Sequence, residues 1–487
     1  MPPPSRSRVM MERIKRLLPK NRFARSVSVL AGGTAAGQII VVAASPILTR
    51  LYSPEDFGLL AVYAGLLGIF AVAVSLRYEF AIPIPESDEE AASVVILSLL
   101  VVLGMTAISA GIVWAWGESI TTVLNTPALE PYFWLLPIGL LLIGIYQVFS
   151  YWAIRVKAFP AIARTKLTQA IGMVGVQLGG YALGPFALLL GQATGHAAGA
   201  SSLAGLAMRR RWLVFRKVRL ADVRWAAVRY RRFPVYHSWA GVLHKIGTEL
   251  PLILFAGLFS PAAAGLYMLA HRVLAMPMQL LGKAVADVFF SSASEAQRNG
   301  DLAPLVSSIH HKLAHIAMPP TFVLLIAGPD LFALVFGAEW RQAGEIAQWM
   351  APWIYLVFVT SPLSQVVSVL EKQAQFLIFQ GVLLAARIGA LVIGGLHGDL
   401  IFAVALLSGV SALCYAGFLV WLILASDNRL VDAWRPTATA ALVAALLIAP
   451  LAVYYWLDAA WGYGLLALLV TVLASAVHYG QMLRKAW

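Results

Sequence analysis

The chain has 487 residues, of which 60% are hydrophobic and only 12% charged, and its mean hydropathy is +0.79. Soluble globular chains carry about 25% charged residues, so the composition excludes a soluble domain and predicts an all-α polytopic membrane protein. The net charge of +13 is concentrated, with eight Lys/Arg in residues 1–25 and ten in 209–232, which follows the positive-inside rule and touches anionic lipid headgroups rather than nucleic acid.

Fourteen apolar segments are long enough to cross a bilayer, since a spanning helix needs about 20 residues. They cover 27–51, 58–80, 91–116, 132–154, 165–183, 186–208, 238–259, 264–289, 313–336, 346–369, 376–397, 400–424, 437–457 and 461–482. An even number places both termini on one side, and the basic N-terminus assigns that side to the cytoplasm. The alternate connections agree. Arg155, Lys157, Arg164, Lys166, the ten-charge loop, Lys372, Arg429 and Arg435 fall on the cytoplasmic side, whereas Arg341 and, at an edge, Arg50 fall opposite. The N-terminus lacks the short apolar core and cleavage site of a signal peptide, so the first span is expected to act as the insertion signal. The expected localisation is a bacterial cytoplasmic (inner) membrane, multi-pass, with both termini cytoplasmic.

Between the first two spans lies Leu51-Tyr52-Ser53-Pro54-Glu55-Asp56-Phe57-Gly58-Leu59. The pattern returns 207 residues later as Leu258-Phe259-Ser260-Pro261-Ala262-Ala263-Ala264-Gly265-Leu266. Proline and glycine suit a tight helix-breaking turn, and an internal repeat fixes architecture. The echo divides the chain into a basic N-terminus (1–25), an N-lobe of six helices (26–208), a basic linker (209–237), a C-lobe of six helices (238–425) and an appended pair of helices with a short tail (426–487). Each lobe has an even number of spans, so the two share an orientation and are related by a pseudo-twofold axis along the membrane normal. Within the linker, Leu220 to Phe233 reads either as a headgroup helix, with Trp225 and Val228 down and Arg224, Arg229, Arg231 and Arg232 up, or as a solvated connection.

Ionisable residues inside membrane segments are costly and mark functional paths. Lys245 lies about nine residues into its span, roughly 13 Å deep, with Glu249 one turn on and able to pair with it. The repeat places Gln38 at the level of Lys245. Arg272 follows His271 about 10 Å below the outer face. Arg387 is mid-membrane with no acidic neighbour in its own helix. Lys283 and Asp287, again i and i+4, match by the repeat the neighbourhood of Arg77 and Glu79, and these four suggest a gate of opposed charges or headgroup-level pairs. His196 is deep and reads as a hydrogen-bonded packing residue. Lys245, Arg272 and Arg387 make a cationic cavity, suited to a phosphate or pyrophosphate rather than an organic cation.

Catalytic signatures are missing. There is no P-loop, no nucleophile-elbow spacing and no carboxylate pair placed for glycosidic or phosphoryl chemistry. The single cysteine, Cys414, excludes an intramolecular disulfide, and no Cys/His spacing suits a metal. A transporter, not an enzyme, and no cofactor are expected. Glu249 and Asp287 are the carboxylates available to a coupling ion, a proton or sodium, unless lysine occupies them.

Four stretches carry a resemblance. They are Ile47 to Gly58; Leu76-Arg77-Tyr78-Glu79-Phe80-Ala81-Ile82-Pro83; Phe233-Pro234 through Leu250-Pro251 to Gly265-Leu266-Tyr267, Arg272, Pro277 and Val288-Phe289-Phe290; and Phe336-Gly337-Ala338-Glu339-Trp340 followed by Ser361-Pro362. In these the chain resembles bacterial oligosaccharide flippases of the polysaccharide-synthesis (Wzx-like) branch of the multidrug/oligosaccharidyl-lipid/polysaccharide exporter superfamily. The resemblance implies a flippase that moves a polyprenyl-pyrophosphate-linked oligosaccharide from the cytoplasmic to the outer leaflet by alternating access between two six-helix lobes, for surface polysaccharide synthesis. It implies lipid-linked oligosaccharide, membrane lipids and the polysaccharide polymerase and export machinery as partners. The alternative reading is a cation-coupled small-molecule (multidrug) extruder of the same superfamily, which expects an acidic cavity.

Overall fold

The computed structural model describes residues 22–278, 283–457 and, in the last segment, 464, 466–467, 469–475, 477 and 479. Residues 1–21 of the basic N-terminus and much of the expected last span lie outside them, as do the side chains of Lys283 and Asp287. Every regular element among the described residues is helical. In chain order they are α1 (Arg22–Leu51), α2 (Pro54–Ala71), α3 (Asp88–Val123), α4 (Leu135–Arg155), α5 (Phe159–Gly179), α6 (Pro185–Arg216), α7 (Leu220–Arg229), α8 (Ser238–Leu258), α9 (Pro261–Pro277), α10 (Lys283–Asn299), α11 (Leu302–Phe336), α12 (Arg341–Leu363), the short α13 (Gln365–Val369), α14 (Gln373–His397), α15 (Leu400–Ala425) and α16 (Val431–Trp456). Among the described residues nine helical segments are long and apolar enough to cross a membrane. Helices α5, α6, α8 and α9 stand at four more of the expected spans.

The hairpin echo has a structural counterpart. Ser53 caps α2: its Oγ accepts from the Asp56 N–H at 3.2 Å, while the Asp56 carboxylate accepts from the Ser53 N–H at 3.0 Å. Ser260 caps α9 in the same way, accepting from the Ala263 N–H at 3.1 Å. In both copies proline stands at the first helical position, where its missing N–H costs nothing. The glycines then explain the spacing. A Cβ on Gly58 would lie 1.8 Å from the carbonyl oxygen of Pro261, and one on Gly265 would lie 2.0 Å from that of Pro54. Each copy's glycine receives the other copy's proline, so the two turns pack reciprocally. Phe57 meets the fully buried Trp340 edge-on at 5.0 Å.

By internal packing the chain divides into two compact units, Met1–Tyr52 with Leu59–Gly257 and Ser53–Gly58 with Leu258–Trp487. In the first, α5 packs on α1 and α6, and α4 on α3 and α6. Glycines allow the closest approaches: Gly33 and Gly37 of α1 face the backbone of Ala163 and Lys166, and Gly191 and Gly195 of α6 face α5. In the second, α11 lies along α12 and α16, and α15 along α12 and α14. Gly328 and Gly344 meet there with no room for a side chain on either.

The expected bounds of the second span need correction. The second span does not continue to residue 80. Helix α2 ends at Ala71, and the chain passes through turns with left-handed Leu76 (φ 49°) and Arg77 (φ 62°) into a 3-10 turn over Tyr78–Ala81. The linker residues Leu220–Arg229 form a helix, which buries Val223 and Ala226 against α3 and leaves Trp225 and Val228 exposed. Arg155, expected as a loop charge, instead gathers the connection before α3. Its guanidinium donates to the carbonyls of Pro85 (2.6 Å), Glu86 (3.2 Å) and Ser87 (3.0 Å) and to the Asp88 carboxylate (3.2 Å).

Candidate functional site

In the first unit, a helical turn separates Gly241, Lys245 and Glu249, so the three lie on one face of α8. Lys245 donates to the Glu249 carboxylate. The pair lodges against a glycine: a Cβ on Gly68 of α2 would lie 3.2 Å from Lys245 Cε and 3.6 Å from Glu249 Cδ. One turn earlier the guanidinium of Arg77 rests on Gly241, 2.6 Å from where a Cβ would be. Arg77 also lies 3.9 Å from the Glu79 carboxylate and 5.0 Å above the Phe80 ring. Glu79 is almost wholly buried and accepts from Ser75 Oγ. Burial pushes the Glu79 carboxyl above its usual range, and Ser75 and Arg77 oppose that shift. Four sequence-selected residues, Arg77, Glu79, Lys245 and Glu249, therefore collect along α8, each cation beside a carboxylate.

The second unit treats its cations differently. Arg387 of α14 donates from Nε to Ser411 Oγ of α15 at 3.0 Å. Its guanidinium carbon stands 4.8 Å from the Trp353 ring and 6.0 Å from the Tyr415 ring. Trp353 of α12 also lies 6.3 Å from His271 of α9, whose ring stacks on Tyr267 at 5.9 Å. Arg272 is next in sequence, half-buried, with no hydrogen bond or ion pair to another described residue. The Trp353 indole N–H is buried and has no acceptor among the described residues. An orphan buried donor is costly and calls for a partner. The site thus offers a fixed guanidinium, an unsatisfied indole N–H and a neighbouring imidazole, all donors suited to an oxyanion.

Helices α9, α11 and α12 and the last segment line an apolar cavity of about 730 Å³. Val273 and Pro277 of α9, Pro319 and Pro320 of α11, and Ile354 and Phe358 of α12 line it, and Thr471 and Tyr479 approach from the last segment. Adjacent prolines suit such a wall, because they carry no N–H to satisfy. Arg272 directly precedes Val273, and Trp353 directly precedes Ile354, so the polar site and the apolar cavity share two helices.

Sequence reasoning found the cations and missed what holds them. Trp353, Ser411 and Tyr415 lie on other helices, and nothing in the neighbourhood of Arg387 points to them. Gly68 and Gly241 were findable, as glycines inside helical spans mark close approach. The side chains of Lys283 and Asp287, the other half of the expected gate, lie outside the described residues.

The comparisons with known proteins agree with this architecture. Succinoglycan biosynthesis transport protein ExoT of Rhizobium meliloti (strain 1021) is 22% identical over 415 residues, covering 83% of this chain and 80% of that protein. The fold is similar to that of the lipid II flippase MurJ in an inward closed conformation, with a TM-score of 0.73 at 12% identity over 94% of this chain and 99% of that one. It is also similar to an inward-facing multidrug resistance MATE family transporter of the MOP superfamily, with a TM-score of 0.56 at 12% identity over 82% and 94% of the two chains. The family described as "Polysaccharide biosynthesis protein" matches residues 47–345, more than half of the chain. The chain is a multi-pass membrane protein and belongs to the polysaccharide biosynthesis protein family.

Proposed function

We propose that this protein is a flippase that carries polyprenyl-pyrophosphate-linked oligosaccharide from the cytoplasmic to the outer leaflet of the inner membrane, by alternating access, for surface polysaccharide synthesis. The observation that carries the reading is the pairing, within one unit, of an oxyanion site with an apolar cavity. Arg387, Arg272 and the Trp353 N–H would meet the pyrophosphate, and the cavity beside them would take the first isoprene units. The relative's role in succinoglycan transport and the lipid substrate of the MurJ neighbour support a lipid-linked cargo.

The test uses the purified full-length protein in proteoliposomes, with a radiolabelled polyprenyl-pyrophosphate-linked oligosaccharide. Translocation is read as sugar released by an external glycosidase. Arg387→Ala and Arg272→Ala are expected to lower the rate by at least about tenfold, since a charge-assisted hydrogen bond contributes roughly 1.5–3 kcal/mol. Wild-type rates in both variants would remove these residues from the path. Efflux of cationic drugs with no lipid movement would instead favour a small-molecule extruder.

A further inference from the structure

A second polar site lies in the first unit, apart from the charges on α8. Helices α1, α5 and α6 enclose a cavity of about 180 Å³ lined by Thr34, Gln38, Lys166, Gln169, Gln192 and His196, with small and apolar residues between. By the share of liquid volume each water takes, that is room for roughly six waters. Gln192 is seven residues into α6, and Lys166 seven residues into α5, so the cavity opens roughly 10 Å inside the ends of these helices.

The packing that forms it is specific. Helix α6 carries glycine at 191, 195 and 199, every fourth residue, and α1 carries it at 33 and 37. A Cβ on Gly199 would lie 2.0 Å from Gln169 Nε2, and one on Gly195 would lie 3.1 Å from the Gln169 carbonyl. Only glycine leaves the notch that seats the Gln169 amide. That amide nitrogen is buried without a hydrogen-bond partner. Gln38, Gln192 and His196 likewise form no hydrogen bond with other described residues. Lys166 is held over the Tyr146 ring at 4.8 Å, a contact that fixes the ammonium without neutralising it.

The buried Gln169 amide is expensive left unsatisfied, and the exposed Gln38 and half-buried Gln192 stand beside it, so the arrangement calls for a ligand rich in groups that both donate and accept. No carboxylate lines the cavity, which argues against a metal ion or an organic cation. Glutamine amides match vicinal hydroxyls, and one ammonium matches an acidic substituent. We propose that this cavity binds a single sugar ring of the transported oligosaccharide, with preference for a ring bearing a carboxylate. The proposal rests on the flippase reading for its cargo and adds the subsite that reads the sugar.

The probes are methyl β-glucoside and methyl β-glucuronide, added to the full-length protein in lipid nanodiscs and observed by saturation-transfer difference NMR. Both are expected to bind, the glucuronide more tightly. Gln169→Ala and Gln192→Ala are each expected to raise the dissociation constant about tenfold, the equivalent of one hydrogen bond. Lys166→Gln is expected to erase the glucuronide preference while sparing the glucoside, a selective change that misfolding cannot produce. Absence of transfer to the wild type, as a cavity holding water only would give, overturns the proposal. So do unchanged constants in both glutamine variants. Glycoside binding without lipid translocation would defeat the flippase reading and leave the subsite standing, and translocation without glycoside binding would do the reverse.

Discussion

Gly58→Ala and Gly265→Ala test whether the repeated hairpin is a packing device. Each substitution adds one methyl group against a backbone carbonyl, at 1.8 Å and 2.0 Å. Restoring an ordinary 3.4 Å contact requires the two turns to separate by roughly 1.6 Å at Gly58. A carbonyl oxygen cannot rotate away as a side chain would, so the cost belongs at the upper end of the roughly 1–3 kcal/mol typical of overpacking. The double variant carries a second signature. One separation relieves both clashes, so it should cost little more than either single, far short of the roughly 6 kcal/mol that additivity predicts. Thermal unfolding of the detergent-solubilised protein, followed by tryptophan fluorescence, reads all three. Gly32→Ala is the control, because a Cβ there meets nothing within 4 Å. Singles that melt with the wild type, or a double that sums the two, would refute the reciprocal contact.

Arg155→Ala strips the donor from four carbonyls and a carboxylate ahead of α3. It is expected to destabilise by about 3 kcal/mol, and Arg155→Lys should recover only part, since an ammonium lacks the guanidinium's flat fork; unfolding in urea checks both. Glu79 gives a pH dependence. Its folded carboxyl titrates above the usual 4.5, so the stability it allows is fully present below that value and falls as pH rises through the raised one. Glu79→Gln should flatten that fall, and a parallel profile for the variant would show that the buried carboxyl does not set it.

Much of the fold is local chemistry and therefore legible. Serine before proline marks a capped helix start at both 53 and 260, and apolar runs mark the helices that follow. The failures share a cause. Nothing between Val72 and Leu76 breaks a helix, yet α2 stops at Ala71 because the chain turns to bury Glu79 beside Ser75 and Arg77, contacts made only in the folded unit. The linker shows the same limit. Its periodicity announces a helix, but a helix with a protein side and an outer side has two apolar faces, and the sequence does not say which one α3 takes. At the candidate site, Arg387 could be chosen by depth, whereas Trp353 and Tyr415 come from α12 and α15 and carried no signal of their own.

The partners of the buried cations separate the two units more sharply than their number does. Lys245 and Arg77 each sit beside a carboxylate, which cancels the field an anion would feel. Arg387 is held instead by a hydroxyl and two aromatic faces, groups that fix a guanidinium while leaving its full charge. Arg272 has no such partner among the described residues, and the buried Trp353 N–H is an unused donor. A substrate anion gains most where charge is positioned but not neutralised, because its binding then breaks no existing pair. On that argument the proposed pyrophosphate would meet Arg387 and Arg272 first. In the first unit, an anion reaching Lys245 would have to displace Glu249 and so break an existing pair.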